Sequence, residues 1–162
     1  MATDKLAQFK KDYAKLRKKY KLPEFRKLNE EFEIERVAEK NTDFLLRGIR
    51  GSIERKAESF LKMLEEFINP TFASLASLTL IKSFTDKEKK HIKDGYQNLV
   101  GLMLKAAILE TDYNEKKEAE FIKEALKMWE STKKGINELM TASEKIWRRK
   151  IEEEKVSYKY FG

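Results

Sequence analysis

Apolar residues recur along this chain at intervals of three and four, a spacing that predicts helices almost throughout. Leu6, Phe9, Tyr13, Leu16 and Tyr20 form one stripe and predict a first helix over residues 4–21, with lysines on its other faces. Leu22-Pro23 ends it, because the residue before a proline avoids the helical region. Pro23 then opens a predicted second helix reaching Lys40, with Phe25, Leu28 and Phe32 inward and glutamates elsewhere. Asn41-Thr42-Asp43 is a run of capping residues. After it, Leu46, Ile49, Ile53, Ala57, Phe60, Leu64 and Phe67 keep helical register to Ile68.

Asn69-Pro70 both stops that helix and starts another, which is predicted to reach Phe84. Phe72, Leu75, Leu78, Leu80 and Ile81 make it apolar nearly all round, so it is expected to be the most buried element. Thr85-Asp86-Lys87-Glu88 has the pattern of a capping box. A fifth helix follows on Ile92, Tyr96, Leu99, Met103, Ala106 and Leu109. Thr111-Asp112-Tyr113-Asn114 breaks it, with Asp112 and Glu115 spaced for a second box. The final helix is expected from Asn114 to Glu154, lined by Ile122, Leu126, Trp129, Ile136, Leu139, Ser143, Ile146 and Trp147. Residues 155–162 read as a flexible tail. The expected fold is all-α: a single-domain bundle of five or six helices over residues 1–162.

Composition narrows the chemistry. A chain of 162 residues holds one ordinary core without staples. With no cysteine, disulfides, zinc–thiolate sites and a cysteine nucleophile are excluded. Charge appears within the first five residues with no apolar run behind it, so no secretory leader is expected. The longest uncharged stretch, Phe67 to Ile81, is too short and too polar for a membrane span. A cytoplasmic location is therefore expected, with no transmembrane segment. Abundant Lys and Glu beside few Gln suit a heat-adapted source.

Net charge is +7, and its distribution is uneven. Residues 1–22 hold Lys5, Lys10, Lys11, Lys15, Arg17, Lys18, Lys19 and Lys21 against Asp4 and Asp12, leaving the rest of the chain near balance. This basic helix has several readings. It can track a phosphate backbone, or lie on an anionic membrane with Phe9, Tyr13 and Tyr20 at the interface. It can also simply pack its stripe inward and lay its lysines on the acidic second helix. Lys10, Lys11, Lys15, Arg17, Lys18 and Lys19 are the candidate nucleic-acid contacts.

Arg47-Gly48-Ile49-Arg50-Gly51 falls inside a helix, where each glycine costs about 1 kcal/mol relative to alanine. Close approach of a neighbouring helix or ring accounts for such glycines. Alternatively Arg47 and Arg50, on one face with Arg55 near, bind an anion such as a phosphate. Glu88 and His91 match the Glu-x-x-His spacing of di-iron bundles, but a lone histidine cannot supply the second motif. Glu88 is in any case accounted for by the capping box. Glu30 and Glu33 have the spacing of half a carboxylate metal site, against the plainer reading of a solvated acidic face. The aromatic end, Tyr158-Lys159-Tyr160-Phe161, suits a partner peptide, a base-stacking patch or a flap over the core.

Leu22-Pro23-Glu24-Phe25, Leu28 and Glu31-Phe32-Glu33-Ile34 resemble a group of small, all-helical archaeal proteins with no assigned activity. The likeness runs on through Leu46-Arg47-Gly48-Ile49-Arg50 and Phe84-Thr85-Asp86-Lys87-Glu88-Lys89, and leaves out the basic first helix. It implies an archaeal cytoplasmic source and no particular chemistry. The resulting expectation is a non-enzymatic helical module without cofactor, catalytic or metal residues, binding another protein or itself. The alternatives are nucleic-acid binding through the first helix and a small metal-dependent enzyme using the second helix's carboxylates.

Overall fold

The computed structural model describes residues 2–40 and 43–159, apart from the side chains of residues 2, 3, 72 and 155–159. Among the described residues there are six α-helices, two 3-10 segments and no strand. The all-helical class stands, with more helical segments than the five or six expected. No helix among the described residues is long and apolar enough to cross a membrane. The chain gathers into two compact units, Met1–Phe60 with Leu99–Trp129, and Leu61–Asn98 with Glu130–Gly162.

In the first unit, α1 (Ala2–Tyr20) packs its stripe on the segment that follows. Phe9 and Tyr13 are buried, each meeting the Phe25 ring edge-on, and the Tyr13 hydroxyl donates to the Pro23 carbonyl at 2.7 Å. Burial holds the Tyr13 phenol above its ordinary range. The helix closes with Lys21 in the left-handed region (φ 54°) and the Leu22 N–H on the Arg17 carbonyl at 3.3 Å. Buried Leu22 anchors this turn.

The expected second helix is not continuous. α2 covers Phe25–Phe32, Glu33 turns left-handed (φ 52°), and a 3-10 segment follows over Ile34–Glu39. The physical reason is the apolar spacing. Phe32 and Ile34, two residues apart, point to nearly opposite sides of a regular helix. The turn at Glu33 lets both go inward, with Val37 behind them, and all three are buried. Asn29 supports the break: its carbonyl accepts from Glu33 N–H, and its side chain accepts from Glu35 N–H.

α3 runs Leu45–Ile68, and Gly48 N–H reaches back to the Phe44 carbonyl. The capping run Asn41-Thr42 lies outside the described residues. Leu46, Ile49, Ile53, Ala57 and Leu64 are buried as their period requires, while Phe60 and Phe67 are half-buried. Phe60 and Phe32 close on the Trp129 indole, whose N–H donates to Glu31 at 2.7 Å.

The region expected to be most buried is not. Pro70–Phe72 forms a 3-10 turn capped by Asn69, and Ser74 caps a short α4 over Leu75–Ser83. Within α4 only Ser77 is buried, and Leu75 is 85% exposed. Apolar composition all round is therefore not matched by cover all round.

α5 is Asp86–Thr111 and α6 is Glu115–Lys159. Thr85 and Glu88 form one half of the expected box, the Glu88 carboxylate accepting the Thr85 N–H at 2.8 Å; the Thr85 hydroxyl donates to the same carboxylate. α6 is capped by Asn114, whose side chain accepts from Lys117 N–H at 2.9 Å, not by the Asp112–Glu115 box. It also runs past Glu154 to Lys159, further than expected. The aromatic end falls outside the described side chains.

Candidate functional site

The residues flagged in the sequence do not converge. Arg50 is 2% exposed and lies among acids. Its guanidinium donates to Glu118 at 2.9 Å, to the Ala106 carbonyl at 3.3 Å, and to Glu54 and Glu110. Arg47 also donates to Glu110, and Arg55 turns to the Ser52 hydroxyl at 2.8 Å. The expected anion face is thus corrected. Arg50 is an internal counter-ion, occupied by carboxylates of its own unit, and Arg55 is engaged elsewhere. Arg47 and Arg50 hold the Glu110 carboxyl at about 2. Burial raises Glu118 in spite of Arg50 beside it. A Cβ on Gly51 would meet nothing within 4 Å, so close packing does not explain that glycine.

Glu30 and Glu33 are exposed and pair locally with Arg26 at 2.7 Å and Arg36 at 2.6 Å. They do not assemble a concave carboxylate site. Among the described residues no group of three or more His, Asp and Glu is placed to hold a metal. The Glu-x-x-His pair is split: Glu88 serves Thr85, while His91 Nε2 lies 3.1 Å from Glu138. Lys87 reaches the same Glu138 oxygen at 2.9 Å, and with His91 it holds that carboxyl below its usual range. Gly135 makes room for the histidine; a Cβ there would stand 3.0 Å from Nδ1. A polar groove of about 520 Å³ runs past these residues, with Asn98 donating to Thr132 at 3.1 Å beside it.

The basic helix is only partly neutralised. Arg17 meets Glu24 at 3.1 Å, Lys15 meets Asp12 at 2.8 Å, and Lys19 meets Glu115 at 2.9 Å. Tyr20 and Glu115 hold the Lys19 ammonium above its ordinary range. Lys10 stands over the Phe25 ring at 5.3 Å. Lys5, Lys11, Lys18 and Lys21 form no ion pair among the described residues. Among the described residues, the expected ionic cover by the second helix therefore reduces to Arg17–Glu24. Because Phe9 and Tyr13 are buried, the stripe is not available to a membrane either.

A different surface emerges on α5. From Leu99 to Leu109 its sole charge is Lys105. Leu99, Leu102 and Ala106 face the core, yet Leu104 and Ile108, one turn apart, are 62% and 70% exposed. Ala107 is exposed beside them. Gly101 lies a turn before Leu104, and a Cβ there would find open space within 4 Å. Next to this face, Ile108, Leu109 and Phe121 line a shallow groove of about 210 Å³. Its rim carries Lys105, Lys117, Glu120 and Glu124, with Lys105 donating to Glu124 at 2.6 Å. Sequence reasoning missed this surface, although the near absence of charge from Leu99 to Leu109 was a signal that could have found it.

No protein-family model, curated protein or solved structure matches the chain.

Proposed function

We propose that the protein is a non-enzymatic helical interaction module whose partner is a second copy of the chain, docked on the outward face of α5. The observation that carries this reading is the exposure of Leu104 and Ile108 beside Gly101. Burying such side chains is worth roughly 1.5–3 kcal/mol each, so water-exposed positions on consecutive turns favour a covering surface. Gly101 adds a place where a second backbone can approach closely. The rim speaks for a second copy. It bears both signs, Lys105 and Lys117 with Glu120 and Glu124, on a chain of net charge +7. A two-fold contact is self-complementary and lays the lysines of one copy against the glutamates of the other.

Sedimentation velocity across a concentration series tests this. Wild-type protein is expected to be a reversible dimer. Leu104→Glu/Ile108→Glu is expected to be monomeric with unchanged helix content, since neither side chain is core. A wild-type monomer at the highest concentration sinks the reading, as does a dimer indifferent to the double substitution.

A further inference from the structure

We infer that the outer face of α1 is a nucleic-acid contact that grips the phosphate backbone without reading bases. It is independent of the α5 face and stands on different residues.

Concentrating like charge on one helix has a cost. Lys11 and Lys15, Lys15 and Lys19, and Lys15 and Lys18 sit three or four apart, where like charges repel. Basic residues in the last turn suit the helix dipole, which accounts for Arg17, Lys18 and Lys19. It does not account for Lys5 and Lys11, which lie outside that turn. Nor does folding use these charges up. Lys5, Lys11, Lys18 and Lys21 stay exposed without an ion pair among the described residues, and Glu35 and Glu39 of the neighbouring 3-10 segment make none with them. What remains on the side opposite the stripe is Lys11 and Lys18, seven residues and about 10 Å of helix apart and nearly in line, while Lys5 lies about a third of a turn round from Lys11. Duplex DNA presents a charge about every 1.7 Å along its axis, so this outward pair faces several phosphates.

The alternative polyanion is a lipid surface. An interfacial helix inserts its apolar stripe, and here that stripe is spent inside the unit, with Phe9 7% and Tyr13 1% exposed. What is left is charge alone. A phosphate backbone answers that charge, and binding of this kind weakens steeply with salt as counterions are released.

The test is fluorescence anisotropy with a labelled 20-base-pair duplex over a sodium chloride series, using the full chain. Wild type is expected to bind at 50 mM salt and to weaken log-linearly as salt rises. Lys11→Glu/Lys18→Glu is expected to lose at least tenfold in affinity and to flatten the salt slope by about two, one for each lysine removed. Circular dichroism should show unchanged helix content, because both side chains are exposed. Lys145→Glu/Arg149→Glu, a charge-matched change on another helix, is expected to stay within twofold of wild type. The inference falls if wild type does not bind at 50 mM salt, if the α1 variant binds as wild type does, or if the control loses as much. Binding to phosphatidylserine vesicles without binding to the duplex also overturns it.

Discussion

Arg50 and Glu118 form a buried charge pair, with side chains 3% and 0% exposed, and Glu54 and Glu110 complete the cluster. Removing one partner of such a pair leaves a bare buried charge. Arg50→Ala is therefore expected to cost about 3–5 kcal/mol, read by urea unfolding. Glu118→Gln should cost much less, because burial already disfavours its charge and Arg50 keeps Glu54 and Glu110. Equal losses would refute this division of roles. Glu110 gives a pH signature. Its carboxyl is depressed from 4.5 to about 2 by Arg47 and then Arg50. A depressed carboxyl contributes stability above its unfolded value, and that contribution is lost as pH falls through the folded one. The stability gap between wild type and Glu110→Gln should thus be full above pH 5 and close towards pH 2. A gap constant across that range would contradict the arrangement.

At the scale of the element, termini and glycines carry local costs that substitutions can expose. Lys21 closes α1 in a left-handed conformation that glycine adopts without a Cβ penalty. Lys21→Gly is expected to stabilise by roughly 0.5–1 kcal/mol, measured as a raised melting temperature. Gly51 and Gly135 lie inside helices but in different surroundings. Gly51→Ala meets open space and should gain up to about 1 kcal/mol. Gly135→Ala meets the His91 ring and should gain less, recovering the difference in a His91→Ala background. Identical effects at the two sites would mean that the histidine yields freely. In α4, half-buried Leu78 should tolerate Ala better than fully buried Leu64, where about 2–5 kcal/mol is expected.

Over the whole molecule, charge is the unevenly distributed quantity. Six of the seven net positive charges fall in residues 1–22. Screening acts over about 10 Å at 0.1 M salt, so salt should relieve the repulsion among α1 lysines. The melting temperature is expected to rise between 20 and 300 mM sodium chloride, and to rise less in Lys11→Gln/Lys18→Gln. A fall with salt in both proteins would mean that attractive pairs dominate instead. The apolar surface is uneven as well: Leu75 on α4 and Leu104 and Ile108 on α5 remain exposed beside buried cores.

The helical class, the core period of α3 and most of that of α6, and the pairing of Thr85 with Glu88 were legible in the sequence. They rest on interactions three or four residues apart, which the order of residues specifies directly. The stripe on α1 was legible for the same reason. What covers a helix was not, because that depends on residues far away in sequence. Residues 70–84 and 99–109 share an all-round apolar pattern, which reports apolar area without reporting whether a neighbour covers it. Tertiary structure left Leu75, Leu104 and Ile108 exposed. It also broke the second helix at Glu33, where burying both Phe32 and Ile34 outweighed helical continuity. The arginines followed the same rule. Their spacing placed them near one another, but carboxylates on α5 and α6, some sixty residues on, turned Arg50 from an anion ligand into a buried counter-ion.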